Sequence, residues 1–125
     1  MLKLALRNKG RLSSELRSVL EAAGYRMGFV GERSLTAELS EGVQALFVRA
    51  ADIPSFVQSG AADAGLTGHD CVLESGHALR EELDLELGAC RLVVAVPGAE
   101  AQGGLEALPA RVRVATSFPR STRAF

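Results

Sequence analysis

The segment from Val48 to Glu74 constrains the fold most, because it alternates short apolar runs with glycine turns. Within it, Ile53, Phe56 and Val57 have the i, i+3, i+4 spacing that predicts one apolar helix face. Asp52 can cap the N-terminus of this helix, Pro54 suits its first turn, and Gly60 is placed to end it.

A short strand and a second helix start follow in the same segment. Ala64-Gly65-Leu66 is small and apolar, which is typical of a strand buried on both faces. Thr67-Gly68-His69-Asp70 then turns the chain into a helix that begins near Cys71. Such a turn aims free backbone N–H groups and the positive end of a helix dipole at one point. The segment therefore predicts an anion site.

Two earlier segments repeat the order of strand, polar turn and helix. Leu2–Leu6 predicts a first strand, and the basic turn Arg7–Arg11 leads to a helix that ends at Gly24. Val43–Val48 predicts another strand, with Arg49 at its end. Ser13 is the predicted N-cap of this first helix. Its predicted apolar face consists of Leu16, Val19, Leu20 and Ala23.

The three units predict an α/β fold with a parallel sheet. Because the carboxyl ends of parallel strands meet at one edge, we expect Lys9, Arg11, Arg49 and the Thr67–Asp70 turn to lie together there. Open α/β sheets bind ligands along this edge, and its basic residues favour an anionic ligand.

Each basic residue also has a simpler interpretation. Lys9 and Arg11 could reach phosphate oxygens, Arg through a bidentate fork and Lys as a point charge, or both could be merely solvated. Arg49 could instead form a surface ion pair with Asp52 or Asp63.

The remaining segments are less regular. The sequence predicts a hairpin over Met27–Val30 and Leu35–Leu39, and a helix end with an edge strand over Leu79–Leu87. It predicts a strand over Cys90–Val96 and a loop or short helix over Ala99–Ala107. Val112–Ala115 predicts a further strand, which is followed by a helix start. A last strand without a covering helix is costly, so we expect these residues to be part of a larger unit.

Composition excludes several classes of protein. The 125 residues are 47% hydrophobic, which predicts one folded domain of modest size. Fourteen basic and fifteen acidic residues argue against a dedicated nucleic-acid or membrane-surface protein. No apolar run approaches the roughly 20 residues of a membrane span, and the N-terminal one is too short for a signal peptide. Cys71 and Cys90 are predicted to be reduced, buried thiols with no metal-ligand spacing.

Four segments, in this order, together resemble the catalytic subunit of ATP phosphoribosyltransferase, the first enzyme of histidine biosynthesis. Leu4–Leu12 resembles its first strand and basic turn, and Arg49–Glu74 resembles its D-I-P helix start followed by G-x-A-D-x-G-x-T-G-x-D. Leu87–Pro97 resembles the strand leading into its second domain. Arg113–Arg123 resembles its R-V-A-T-x-[YF]-P-x-x-T-R segment.

The resemblance implies a fold like that of type II periplasmic binding proteins, with two α/β lobes around a cleft. Residues 1–92 would form the first lobe on the nucleotide side, and residues 93–125 the incomplete beginning of the second. The implied reaction joins ATP to phosphoribosyl pyrophosphate, with Mg²⁺ carried by the substrate phosphates and pyrophosphate as the leaving group.

We expect a cytoplasmic homo-oligomer, and the balanced charge and short apolar runs predict that it binds neither nucleic acid nor a membrane. The family has a long form with a C-terminal regulatory domain and a short form that works with a partner resembling histidyl-tRNA synthetase. The compact N-terminal pattern favours the short form.

Site residues follow from the matching motifs. Lys9 and Arg11 would face substrate phosphates, and Arg49 would line the nucleotide side of the cleft. Thr67, Gly68 and Asp70 would hold the nucleotide or ribose, with Asp70 accepting from a hydroxyl or amino group, capping the helix, or both. Thr116 would lie on the second-lobe wall, and the two histidines, His69 and His77, would lie on the surface.

One departure from the family pattern concerns the phosphoribosyl-pyrophosphate loop, which follows the R-V-A-T segment in the family and is absent here. A chain that ends at Phe125 is therefore expected to be inactive by itself. Two other interpretations remain open at this point, a non-catalytic anion-binding lobe of the periplasmic-receptor type and an α/β interaction domain without a ligand.

Overall fold

A four-stranded mixed sheet organises the fold. The computed structural model describes residues 1–8, 11–26, 34–98 and 103–125, without the side chains of residues 11–13. The strands are β1 (Leu2–Arg7), β2 (Thr36–Ser40), β3 (Val43–Val48) and β4 (Ala64–Gly65). Their spatial order is β2-β3-β1-β4, with β1 parallel to β3 and β4 and with β2 antiparallel to β3. The predicted α/β class is confirmed.

Four helices accompany the sheet in the described part of the chain. They are α1 (Arg11–Ala22), α2 (Ile53–Gln58), α3 (His69–Ser75) and α4 (Pro119–Ala124). Short 3₁₀ turns cover Ala50–Asp52 and Leu105–Ala107. No helix in the described ranges is long and apolar enough to cross a membrane.

Side-chain alternation along β1 gives the sheet two different faces. Leu6 is buried in one cluster with residues of α1, β2 and β3: Leu20, Leu39 and Ala45. Ala5 is buried in a second cluster on the opposite face, with Ile53 of α2 and with Ala62. Phe56 and Val57 pack against this second cluster, so the predicted apolar face of α2 is confirmed.

The two ends of α1 differ in how well the sequence predicted them. Gly24 follows the helix with φ +91°, and its N–H donates to Glu21 O at 3.0 Å, so the predicted glycine stop is confirmed. The predicted N-cap was wrong, because α1 begins at Arg11 and places Ser13 inside the helix.

The start of α2 also differs from the prediction. Asp52 makes no side-chain capping bond, because its carboxylate pairs with Arg49 and a 3₁₀ turn precedes the helix. Pro54 lies in the first turn and Gly60 follows the helix with φ +77°, as predicted.

β4 lies at the edge of the sheet, and its two residues, Ala64 and Gly65, are exposed. The prediction of a strand buried on both faces was therefore wrong, because β1 is its one partner in the described part of the chain. Gly65 nevertheless packs closely against α2: a Cβ there would lie 2.4 Å from Ile53 Cγ2.

The second half of the described chain contains fewer elements than predicted. Leu79–Leu87, Cys90–Val96 and Val112–Ala115 form no helix or strand. Leu92, Val93 and Val94 are 56%, 72% and 54% exposed, because no neighbouring strand pairs with them in the described ranges. Cys90 is exposed and Cys71 half-buried, so neither thiol is fully buried as predicted.

Other predictions for the less regular segments had mixed outcomes. Leu35–Leu39 corresponds closely to β2, whereas Met27–Val30 lies outside the described residues. The predicted helix start after Thr116 is confirmed as α4.

Candidate functional site

Three parallel strand ends meet at one edge of the sheet, as the sequence predicted. Arg7, the last residue of β1, is in register with Val48, the last residue of β3. Asn8 N donates to Val48 O at 3.2 Å. On the other side of β1, Leu66 N donates to Ala5 O at 3.0 Å, which brings the turn after β4 to the same edge. We call this region the carboxyl edge.

A hydrogen bond joins the turns that follow β3 and β4. The half-buried hydroxyl of Thr67 donates to the backbone carbonyl of Ala50 at 3.0 Å. Ala50 begins the 3₁₀ turn directly after Arg49, so two of the predicted site segments are in contact. Thr67 therefore has a structural bond that fixes the relative positions of these turns.

Arg49 forms the surface ion pair that was its simpler interpretation. Its Nε lies 2.7 Å from Asp52 Oδ2, and the two side chains are 80% and 39% exposed. Asp63, the other candidate partner, instead accepts a bond from Lys3 N at 2.7 Å. Because exposed pairs are worth about 0–1 kcal/mol, this pair does not prevent Arg49 from binding an anion.

Asp70 interacts with the first turn of its own helix. Its Oδ1 accepts from Cys71 N at 2.9 Å, whereas Gly68, the N-cap of α3, makes no side-chain cap. A Cβ on Gly68 would lie 2.2 Å from the same Oδ1. The glycine therefore leaves room for the Asp70 carboxylate, whose negative charge lies where the sequence predicted an anion.

The thiol of Cys71 lies next to these residues and is half-buried. Burial raises its pKa above the ordinary value of 9.0, a hydrogen bond with Thr67 lowers it, the charge of Asp70 raises it, and the charge of Arg7 lowers it. Because the net shift is upward, the group is a neutral thiol at pH 7 and not an activated nucleophile.

Arg7 is the residue that the sequence analysis did not select. Alternation along β1 places its side chain on the Ala5 face, the face covered by α2, and its charge acts on Cys71 of α3. It is half-buried and forms no hydrogen bond or ion pair with a described residue. Its position at the end of a central strand was the available signal, because such positions face the ligand edge.

The side chains of two predicted residues of the basic turn lie outside the described part of the structure. Lys9 lies outside the described residues, and Arg11 is placed only as the first residue of α1. Asn8, which donates to Val48 O at the carboxyl edge, directly precedes Lys9 in sequence.

Thr116 lies in a separate turn, immediately before α4. Its Oγ1 accepts from Phe118 N at 2.9 Å and lies 3.2 Å from the hydroxyl of Thr122. No hydrogen bond or ion pair joins Thr116 directly to the carboxyl edge within the described ranges. The connection runs through Glu74 of α3, whose carboxylate accepts from the start of α4.

The two histidines lie on the surface, as predicted. His69 Nδ1 is 3.0 Å from Glu81 Oε2, with both side chains more than half exposed. His77 Nε2 is 3.2 Å from Ser55 Oγ. In the described parts of the chain, no group of three or more His, Cys, Asp or Glu side chains could hold a metal ion.

Residues 49–125 match the protein family described as HisG: ATP phosphoribosyltransferase. Over its whole length the chain is 52% identical to an ATP phosphoribosyltransferase of Gemmatimonas aurantiaca and 41% identical to one of Methanocella arvoryzae. It spans 44% of the length of each of these relatives.

A solved structure is also similar to this one. It is the ATP phosphoribosyl transferase (HisG:HisZ) complex from Thermotoga maritima, with a TM-score of 0.57 and 31% sequence identity. The match covers 66% of this chain and 39% of the other.

Proposed function

The chain belongs to the ATP phosphoribosyltransferase family, and we propose that the complete protein joins ATP to phosphoribosyl pyrophosphate. N1 of the adenine attacks C1 of the ribose, the bond from C1 to the pyrophosphate oxygen breaks, and pyrophosphate leaves. This is the first step of histidine biosynthesis. The observation that carries the proposal is the family match over residues 49–125, which includes Arg49, the Thr67–Asp70 turn and Thr116.

The charges at the carboxyl edge suit two polyanionic substrates. Arg7 ends β1 and Arg49 directly follows the neighbouring parallel strand β3, and neither is in a buried ion pair. In the proposal, Arg49 binds on the nucleotide side, Lys9 and Arg11 bind substrate phosphates, and Arg7 adds a further cation. Fixed positive groups offset the negative charges that otherwise keep the two substrates apart. Holding the substrates in the reacting orientation supplies much of the rate enhancement.

The turn after β4 is proposed to hold the nucleotide or its ribose. Thr67 is fixed by its bond to Ala50, and Gly68, which has no side chain, leaves room for the Asp70 carboxylate in the same turn. Asp70 uses Oδ1 for the helix N–H, which leaves Oδ2 to accept from a hydroxyl or amino group. Thr116 contributes to the opposite wall.

Magnesium enters this proposal with the substrates. Mg²⁺ keeps several waters and is commonly bound through substrate phosphates together with one or two carboxylates. Asp70 is the carboxylate of the carboxyl edge that could contribute in this way, and the ion would offset phosphate charge. The chain's own cations then complete that charge balance.

We further propose the two-lobe architecture of type II periplasmic binding proteins, with residues 1–92 in the first lobe and residues 93–125 in the second. All four strands described here end by Gly65, whereas α4 lies beyond residue 92. This distribution supports a boundary between the two parts.

The assembly is proposed to be a cytoplasmic homo-oligomer of the short form, with a histidyl-tRNA-synthetase-like regulatory subunit. The similar Thermotoga maritima structure is a HisG:HisZ complex, which supports a regulatory partner.

The test uses the complete polypeptide with Mg²⁺, ATP and phosphoribosyl pyrophosphate. We expect one pyrophosphate released for each ATP consumed, with the reaction dependent on both substrates. Calorimetry with each substrate alone reports binding separately. Binding of an amino acid or a sugar without turnover would instead support a non-catalytic receptor and contradict the proposal.

A further inference from the structure

A single carboxylate connects α3 to α4. Glu74, in the last turn of α3, accepts from the backbone N–H groups of Arg120 and Ser121, both at 2.8 Å. It also accepts from the Ser121 hydroxyl at 2.9 Å. These donors lie 46 and 47 residues further along the chain. Hydrogen bonds to an ionised carboxylate are stronger than neutral ones, and negative charge is favourable at the start of a helix.

Apolar packing contributes little to this junction. No residue of α3 or α4 is buried, and Phe125 after α4 is 84% exposed. An open cavity of about 430 Å³ adjoins the contact, and its lining consists of Glu74, Pro119, Arg120 and Arg123. The position of α4 relative to α3 therefore depends mainly on the polar contact.

A close backbone approach adds to the contact at the same place. Gly76 ends α3 in the left-handed conformation, with φ +65°. A Cβ on Gly76 would lie 2.4 Å from Arg120 Cζ, so the guanidinium lies against a residue that has no side chain. The C-terminal end of α3 thus contacts α4 through Glu74 and Gly76.

The two ends of α3 touch the two separate parts of the proposed site. The helix begins at the Thr67–Asp70 turn, and its last turn holds Glu74. α4 follows the turn in which Phe118 N donates to Thr116 Oγ1. Seven helical residues rise by roughly 10 Å, so α3 acts as a spacer of fixed length between these turns.

We propose that Glu74 is a positioning residue, which sets the separation and orientation of the Thr67–Asp70 turn and the Thr116 turn. The substrate at the Thr67–Asp70 turn and the substrate on the side of the Thr116 turn then meet in the reacting geometry. This inference rests on the proposed function and extends it to a residue outside the substrate contacts. A misplacement of about 1 Å between reacting groups can reduce a rate by roughly 100-fold.

The test is Glu74→Gln in the complete polypeptide. Glutamine keeps the size of the side chain but has one acceptor oxygen and no charge, so it cannot replace the three bonds. We expect kcat to fall by about 10- to 100-fold, while the affinities for ATP alone and for phosphoribosyl pyrophosphate alone change by less than about two-fold. Amide hydrogen exchange at Arg120 and Ser121 should become faster.

Two further variants grade the effect. Ser121→Ala removes one of the three bonds and should reduce kcat less than Glu74→Gln does. Glu74→Asp keeps the charge and should restore part of kcat. The matched control is Glu21→Gln, since Glu21 is an exposed acid of α1 whose side chain makes no hydrogen bond or ion pair with a described residue. Its kcat should equal that of the wild type.

Several results would overturn the inference. One is a kcat for Glu74→Gln within about two-fold of the wild type. Another is a loss of kcat that parallels the loss of thermal stability across all variants and disappears on cooling, since that would show a merely structural role. Unchanged exchange at Arg120 and Ser121 would also contradict it. If the wild type and Glu21→Gln both release no pyrophosphate, the proposed function itself fails, which is a distinguishable outcome.

Discussion

The guanidinium of Arg49 uses Nε in its pair with Asp52, and its other N–H donors make no bond to a described residue. Arg carries five such donors in a planar fork that suits phosphate oxygens. Arg49 can therefore keep its exposed pair with Asp52 while it binds a phosphate, or exchange one contact for the other. The ion pair seen here holds the side chain next to the turn that contains Ala50 and thus close to Thr67.

For Arg49→Ala in the complete polypeptide, we expect ATP affinity to fall by about 10- to 100-fold, consistent with loss of a charge-assisted hydrogen bond worth about 1.5–3 kcal/mol. The free energy of unfolding should change by less than about 0.5 kcal/mol, because the Asp52 pair is exposed. Calorimetric titration and denaturant unfolding measure the two quantities.

The control for this variant is Arg80→Ala. Arg80 also forms an exposed pair, with Glu82, and lies outside the proposed site. Its loss should change neither quantity. An ATP affinity that is equal in Arg49→Ala and the wild type would leave Arg49 with the ion pair as its only role.

Individual contacts were harder to predict than the residues that make them. The sequence selected Thr67, Gly68 and Asp70 as one turn, and the structure places them so. It did not show that Thr67 donates to Ala50, because that bond depends on how two distant turns pack. Arg7 was missed for a similar reason: the face of β1 on which it lies becomes defined only when α2 packs beside Ala5.

At the level of elements, local patterns predicted α1, α2, β1 and β3 well, because apolar spacing and glycine stops act within a few residues. Strand pairing is not local. Cys90–Val96 has a strongly strand-like composition, yet it has no strand partner in the described ranges, and β propensity depends on neighbouring strands. The buried β4 prediction failed for the same reason, since its small residues reflect close packing on α2.

Gly65→Val tests this packing of β4 on α2. A Cβ at this position would lie 2.4 Å from Ile53 Cγ2 and 3.2 Å from Val57 Cγ2, so the strand or the helix must move. We expect the free energy of unfolding to fall by about 1–3 kcal/mol, measured by denaturant titration.

The matched control is Ala64→Val, on the preceding and also exposed residue of the same strand. Its effect should be small, because Ala64 already carries a Cβ and valine is favoured in strands. Equal stability of Gly65→Val and Ala64→Val would contradict the close approach of β4 to α2.

The attachment of α4 should depend on pH. Burial acts to raise the pKa of Glu74, but hydrogen bonds from Ser121 and Arg120, together with the Arg120 charge, lower it below the ordinary value of 4.5. A carboxylate with a lowered pKa stabilises the folded state above its ordinary pKa, and the contribution is lost as pH falls through the lowered value. Below pH 4.5 we therefore expect α4 to detach progressively.

Backbone amide chemical shifts of Arg120 and Ser121 measure this detachment. In the wild type they should titrate below pH 4.5 together with the Glu74 carboxyl group. In Glu74→Gln the same titration should be absent. A wild-type titration centred above pH 4.5 would contradict the sign of the shift.

At the scale of the whole molecule, the chain spans 44% of the length of the relatives it matches. The carboxyl edge belongs to residues that precede Cys71, and the described residues beyond residue 92 form the Leu105–Ala107 turn, the Thr116 turn and α4. We therefore expect the 125-residue chain alone to release no pyrophosphate from a mixture of ATP and phosphoribosyl pyrophosphate.

The measurement combines an intact mass with an activity assay. A sample of 13.2 kDa should be inactive under conditions in which the complete polypeptide turns over. Full turnover by the 13.2 kDa chain would show that the described residues suffice.

The central position of β1 also affects the order of events during synthesis. β1 is made first, but its partners β3 and β4 follow about 40 and 60 residues later, and parallel pairing over such distances folds slowly. The apolar residues Leu4 and Leu6 therefore stay unpaired until β3 has left the ribosome, and the other edge of β1 stays open until Gly65 has followed. From then on, the sheet can close before α4 is made, so the nascent chain carries a folded sheet while α4 is still being synthesised.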